Sequence, residues 1–193
     1  MPKKAIGAVS LLYPIPIVLV GAMVGERPNF TTIGDVAIMG IRPPLVCISL
    51  NCTHFTTEGV QAHGVFSINL PTTAQLQVVD YCGIVSGKTA DKSDLFTLFY
   101  GDSGAPMIEE CPVTLDCQVE QEVRIEHRCI YIARVLQTYV DEQYVDAVDG
   151  RTIAELPALD PIMYALDNRY YRLGDMIGTG YFEGRQFTKP DRA

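Results

Sequence analysis

Three polar stretches in the first half of the chain carry residue types that grip an anion with many hydrogen-bonding edges. They are Asn29-Phe30-Thr31-Thr32-Ile33, Ser49-Leu50-Asn51-Cys52-Thr53-His54-Phe55-Thr56 and Ser86-Gly87-Lys88-Thr89-Ala90-Asp91-Lys92. Hydroxyls and amides give directed donors and acceptors, and Lys88 and Lys92, four residues apart, give local positive charge. The chemistry they suit is the holding of a phosphorylated molecule.

The third stretch invites comparison with a nucleotide P-loop, which needs G-x-x-x-x-G-K-[ST]. Here the residue five before Gly87 is Cys82, and the segment follows a predicted helix where that cradle follows a strand. A P-loop ATPase is excluded on those two grounds. Ser86, Lys88, Thr89 and Lys92, with backbone N–H groups exposed at Gly87, remain able to hold a phosphate. The bland alternative is a solvated loop whose lysines face water. Thr31 and Thr32 fall at a strand start, where successive side chains take opposite faces, so one of them points to any ligand against the sheet; ordinary strand preference of Thr is the alternative. Ser49 and Asn51 end a strand, and Thr53, His54 and Thr56 begin a helix, whose N-terminus favours anions. Capping by Thr56 explains that residue equally well.

No self-sufficient catalytic set stands out. His54, His63 and His127 are far apart, and neither a G-x-S-x-G elbow nor an H-E-x-x-H helix occurs. No catalytic side chain and no metal ligand set is assigned. The economical reading is a cofactor that carries the chemistry.

The net charge of −8 on 193 residues opposes a polyanionic partner, so nucleic acid is disfavoured. The six cysteines, at 47, 52, 82, 111, 117 and 129, form no C-x-x-C pair and match no zinc or cluster spacing. Several sit among Val, Ile and Leu, and buried, reduced thiols are expected, which suggests a cytoplasmic setting. Lys3 and Lys4 precede an uncharged run from Ala5 to Val24, with Val20-Gly21-Ala22 resembling a signal-cleavage site. Pro14 and Pro16 would break a helix there, and the β-branched cluster from Ile15 to Val20 predicts a strand instead. A soluble protein with no membrane span is expected.

The elements that must position these residues are mostly strands. Strands are predicted over Ile15–Val24, Phe30–Ile41 with interruptions near Gly34 and Gly40, Leu45–Leu50, and Val65–Leu70. A short helix follows His54 and stops at Gly64; a second opens on the capping-box form Thr72-Thr73-Ala74-Gln75 and ends at Gly83. A further helical piece is expected within Ala90–Phe96. Val119–Glu126 alternates, Cys129–Leu136 is apolar enough to be central, and Tyr139–Val145 extends the pairing after a turn. Gly150 marks another turn, Ala158–Tyr164 a strand, and Arg169–Gly174 a coil or hairpin. One domain over 1–193 results, mainly β with inserted helices, and a closed or nearly closed barrel would solve its edge-strand problem.

The order of motifs resembles the flavin-reductase-like, FMN-binding split-barrel family that includes flavoredoxins, from about Tyr13 to Glu183. The resemblance rests on Pro14-x-Pro16, Pro28-Asn29-Phe30-Thr31-Thr32, Pro43-Pro44-Leu45-Val46-Cys47-Ile48-Ser49-Leu50, Phe66-Ser67-Ile68-Asn69-Leu70-Pro71, Ser86-Gly87-Lys88-Thr89-Ala90-Asp91-Lys92 and Tyr170-Tyr171-Arg172-Leu173-Gly174. It implies a homodimer of six-stranded antiparallel Greek-key barrels with FMN near the subunit interface. By carry-over, Thr31 and Thr32 would line the isoalloxazine ring, and Ser49, Leu50 and Asn51 would face its polar edge. His54, Thr56, Ser86, Gly87, Lys88 and Lys92 would serve the phosphate and ribityl chain. Asn69 would contact the ring or orient its neighbours, and Tyr170 would approach from the partner chain. His54 stands where the family pattern leads one to expect Arg or a polar residue.

The function implied is an FMN-dependent oxidoreductase taking hydride from NADH or NADPH. The alternatives are a flavoredoxin-like carrier exchanging electrons with redox partner proteins, and a non-redox ligand-binding protein on the same barrel.

Overall fold

The computed structural model describes residues 2–145 and 156–187. Its centre is a seven-stranded antiparallel sheet built from β2 (Val18–Val24), β3 (Arg27–Ile33), β4 (Val36–Gly40), β5 (Leu45–Asn51), β6 (Val65–Leu70), β9 (Val113–Ile125) and β10 (Arg128–Val140). The strand order is β3-β2-β6-β9-β10-β5-β4. Sequence neighbours β3 and β4 thus occupy opposite edges, yet only Gly34 and Asp35 separate them. Two residues span only about 7 Å, so the sheet must curl until its edges meet. No ladder joins β3 to β4, and the barrel is closed by chain and side chains across a split.

The curl defines an inside and an outside. Val18, Val20, Val46, Ile48, Leu50, Phe66, Ile68, Cys117, Cys129, Tyr131 and Ala133 fill the interior, together with Val60 of helix α1 (Phe55–His63). Outside, Ile17, Leu19 and Phe30 pack on Val79 and Cys82 of helix α2 (Leu76–Ile84) and on Ile108 and Ile162. Strand β2 is therefore covered on both faces, which explains its uninterrupted apolar run. Each fully buried Leu, Ile or Phe contributes roughly 1.5–3 kcal/mol.

A small sheet outside the barrel joins β1 (Ile15–Pro16), β11 (Ile162–Ala165) and β12 (Arg169–Arg172), and β7 (Leu98–Tyr100) pairs with β8 (Pro106–Ile108). The expected Ile15–Val24 strand divides at Ile17, whose N–H instead reaches the Ile162 carbonyl at 3.0 Å. The expected Phe30–Ile41 strand breaks at Gly34, where the chain passes from one sheet edge to the other. Strand β10 continues to Val140 without the predicted turn and ends in a 3-10 turn over Glu142–Tyr144. The turn expected at Gly150 lies outside the described residues.

Two expectations are corrected. The central sheet has seven strands where six were expected, because the chain from Phe30 to Ile41 supplies both edges. The cysteines are not all reduced: Cys52 and Cys129 form a disulfide, with Cα atoms 5.2 Å apart, between the end of β5 and the start of β10. Backbone pairing brings them together, since Cys129 faces Leu50 in the ladder and the Cys52 N–H reaches the His127 carbonyl at 2.9 Å. Cys82, Cys111 and Cys117 are buried free thiols and Cys47 is a partly exposed one. Among the described residues no helix is long and apolar enough to cross a membrane, and no group of His, Cys, Asp or Glu is placed to hold a metal.

Candidate functional site

Strand alternation sorts the first polar stretch. Asn29 and Thr31 share a face and line a cavity of about 230 Å³, whereas Phe30 is buried against the α2 side. Thr32 turns the same way as Phe30, and its hydroxyl donates to the Val79 carbonyl of α2.

The second stretch folds as a tight connector from β5 into α1. The Asn51 Oδ1 accepts from the Thr53 N–H and hydroxyl, both at 3.0 Å. The Asn51 carbonyl takes the His54 N–H at 3.0 Å and the Thr57 hydroxyl at 2.9 Å. His54 occupies the N-cap position, and no side chain caps the helix. Thr56 is not the cap: it lies in the first turn, where its Oγ1 accepts from Asn29 Nδ2 at 2.7 Å. Thr53, His54, Phe55 and Thr56 form one wall of the cavity.

The opposite wall is the end of α2 and the loop after it, from Gly83 to Gly87. The Ser86 carbonyl accepts the Thr89 N–H and hydroxyl, both at 3.0 Å, which bends the loop back on itself. Gly87 is held from below by Arg27, whose Nη2 donates to its carbonyl at 2.5 Å, while the guanidinium lies 4.7 Å from the centre of the Phe55 ring. A Cβ on Gly87 would run into Asn29 and, at 2.6 Å, into Phe55, so no larger residue fits between the walls.

Lys92 closes the floor. It is 2% exposed, and its Nζ donates to the Phe30 and Cys82 carbonyls, both at 2.9 Å. Burial pulls its pKa down, a shift that the neighbouring Cys82 opposes. Burial lowers the His54 pKa first, and the nearby cations Arg128 and Lys92 lower it further. Arg128 is itself fixed, donating through Nε to Ser49 Oγ at 3.0 Å and through Nη2 to the Ser49 carbonyl at 2.7 Å. It also pairs with Asp35. An acidic protein thus concentrates positive potential at one place, beside an uncapped helix start.

Of the residues singled out from the sequence, Thr31, His54, Thr56, Ser86, Gly87 and Lys92 come together around this cavity. The others stand elsewhere. Ser49 is bound by Arg128, Leu50 is in the barrel core and Asn51 shapes the connector. Asn69 is fully buried, donating to the Leu19 carbonyl at 3.0 Å and to Ser67 Oγ at 2.9 Å, and accepting from the Ile108 N–H at 2.9 Å. Lys88 is half exposed and pairs with Glu58 at 2.7 Å. The Tyr170 hydroxyl donates to Asp80 of α2 at 2.6 Å, beside a second cavity lined by Thr73, Leu76 and Ile162. Burial first, and then that contact, raise its pKa.

Arg27, Asn29, Phe55 and Arg128 were not singled out. Asn29 and Phe55 lie inside polar stretches already noted. Arg27 and Arg128 act across sequence separations of 60 and 79 residues, and no local pattern reveals such partners.

The fold and this cavity define a split barrel with a polar recess that buries a lysine. Residues 10–173 match the model of the flavin reductase like domain, and the chain belongs to that family; a flavin-related oxidoreductase function goes with that membership. It is 32% identical to the flavoredoxin of Methanosarcina acetivorans, with a TM-score of 0.90 over 96% of this chain and 98% of that one. With the flavoredoxin of Desulfovibrio vulgaris (Miyazaki F) it shares 30% identity and a TM-score of 0.85, over 95% and 100% of the two chains. It is also 23% identical to an NADH-dependent FMN reductase of Streptomyces nodosus subsp. asukaensis, over 72% of this chain and 74% of that one.

Proposed function

We propose that the chain holds FMN in this recess and acts as an oxidoreductase taking hydride from NADH or NADPH. The observation that carries the reading is the meeting of an uncapped helix start, the Ser86-Gly87 loop and the buried Lys92 around one polar cavity. The residues fit a phosphorylated ligand. First-turn N–H groups of α1 and the hydroxyls of Thr56 and Ser86 supply donors, and Lys92, Arg27 and Arg128 supply charge that a phosphate would balance. When bound, FMN would supply hydride acceptance and electron transfer; the chain's part is to position it and to set the charge around it. Thr31 stands on the face of β3 where a ring laid against the sheet would meet it. Arg27 fixes the Gly87 loop through its carbonyl, and the backbone of that loop would meet the phosphate.

A homodimer belongs to this reading. Ile84 lines the recess yet is 76% exposed, and Ile38 and Ile41 of the β4 region are also bare, as expected of surfaces a second copy covers. The similarity to flavoredoxins favours a second reading, in which FMN stays bound and electrons pass between redox proteins. A net charge of −8 suits steering toward a basic partner.

The test is one preparation. The purified protein is mixed with FMN, its visible spectrum recorded, and NADH or NADPH added without oxygen. Rapid bleaching supports the nicotinamide-linked reductase. Bleaching only by a reduced protein donor supports the carrier, and failure to take up FMN rejects both.

A further inference from the structure

The connector that walls the recess is tied to the barrel by the Cys52–Cys129 disulfide, and nothing in the proposed chemistry uses that bond. The tie is one-sided. Cys129 is fully buried in the barrel interior. Cys52 is partly exposed, and the two residues after it, Thr53 and His54, line the recess. Apart from the disulfide, Cys52 is held by the backbone bond to His127, and the rest of the connector by neutral hydrogen bonds centred on Asn51. The disulfide is thus the strongest link between the recess wall and β10, joining positions 77 residues apart.

We infer that Cys52–Cys129 is a thiol–disulfide exchange site taking a dithiol reductant, and that its redox state sets how firmly the recess holds a phosphorylated flavin. The second half of this inference rests on the function proposed above. A thiolate of the dithiol attacks Cys52 Sγ, the reachable sulfur, and the Cys52–Cys129 bond breaks. Cys129 Sγ leaves with the electron pair and takes up a proton; Gln61 Nε2, 3.7 Å away, donates toward it and eases its departure. The donor's second thiol then attacks the mixed disulfide and releases Cys52, which is protonated in turn. The dithiol becomes a disulfide, losing two electrons and two protons, and the protein gains two thiols. Residues 52–56 then lose their covalent tie to β10, and the wall opens more often.

The experiment compares the air-isolated protein, the same protein reduced with dithiothreitol and then reoxidised, and Cys52→Ser. Thiols are counted in denaturant, backbone amide exchange is followed over 52–57, and FMN and riboflavin affinities are measured. The oxidised protein should show four thiols and the reduced protein six, from the six cysteines of the chain, of which four are free in the structure. Reduction should speed exchange over 52–57 and weaken FMN binding by about tenfold, a change that reoxidation reverses. Six thiols in the air-isolated protein, or unchanged exchange after reduction, overturns the inference whatever FMN does. Faster exchange with unchanged FMN affinity overturns the coupling to the recess. If neither redox form binds FMN, the flavin reading fails, and with it the coupling, while amide exchange still decides the exchange site.

Discussion

The guanidinium of Arg27 lies 4.7 Å from the ring centre of Phe55, and the same group donates to the Gly87 carbonyl. One side chain at the start of β3 thus braces both walls of the recess, the first turn of α1 and the loop after α2. Planarity lets it do both, stacking by its face and donating by its edge.

Arg27→Ala is therefore expected to weaken FMN binding by about 10- to 100-fold, since a charged hydrogen bond and a stacked cation are lost together. Arg27→Lys should recover only part of this, because an ammonium keeps the charge but not the fork. Riboflavin affinity, measured in parallel by flavin fluorescence, should fall less. Equal losses for both ligands would place the effect on the ring and not on the phosphate end.

Lys88→Ala is expected to change FMN affinity by no more than about threefold. Its ammonium is already paired with Glu58 at the surface, and exposed pairs contribute about 0–1 kcal/mol. The contrast with Arg27→Ala, read in one titration series, separates the cation that braces the recess from the one that lies outside it. A loss of tenfold or more at Lys88 would mean that its side chain swings inward when a phosphate arrives.

His54 gives a pH signature. Its folded pKa lies below 6.5 because of burial and the cations Arg128 and Lys92. As pH falls below 6.5 the unfolded chain gains the proton first, so stability drops through the window down to the lowered folded value and then levels off. A bound phosphate supplies the opposite field and raises this pKa. FMN binding near pH 6 should therefore take up a proton, seen as a dependence of binding heat on buffer ionisation enthalpy. His54→Gln should abolish both the uptake and this part of the acid slope.

What the sequence revealed and what it hid divide along sequence separation. The stop of α1 at Gly64, with φ 67°, and the capping box of Thr72 and Gln75 are local signals, and both elements lie where those residues place them. The capping box, however, opens a 3-10 turn that leads into α2. The polar stretches marked the recess because hydroxyl-rich connectors are conspicuous beside apolar strands. Lys92 was legible as a cation but not as a buried one, since its burial depends on the carbonyls of Phe30 and Cys82. Asp35 and Arg128 meet only because β4 and β10 flank β5 in the sheet, and the Cys52–Cys129 bond forms only because β5 and β10 pair, so neither has a local signature.

Lys92 should make the protein steepen in stability toward alkaline pH. Its folded pKa lies below 10.5 because of burial, so the folded state loses the proton first. The penalty of burying the charge is full below the lowered folded value and is relieved as pH rises toward 10.5. Cys82 works against this, its thiol pushed up to about 11 by burial, so the difference between wild type and Lys92→Met is the quantity to measure. That difference should grow in favour of wild type between pH 7 and 10 in urea denaturation. A constant difference would mean that the ammonium carries no burial penalty.

Asn69 separates scaffold from ligand site. All of its polar atoms are engaged within the protein, bridging β2, β6 and β8 at 0% exposure. Asn69→Ala would remove the side-chain bond to the Leu19 carbonyl and take from the Ile108 N–H the Oδ1 it donates to, at about 1–3 kcal/mol each. A fall in stability of about 2–5 kcal/mol is expected, measured by urea denaturation. FMN affinity, measured well below the midpoint, should stay within about threefold of wild type, because no atom of Asn69 is free to meet a ligand. A variant that folds with near-normal stability but loses FMN would reverse this assignment and make Asn69 a flavin contact.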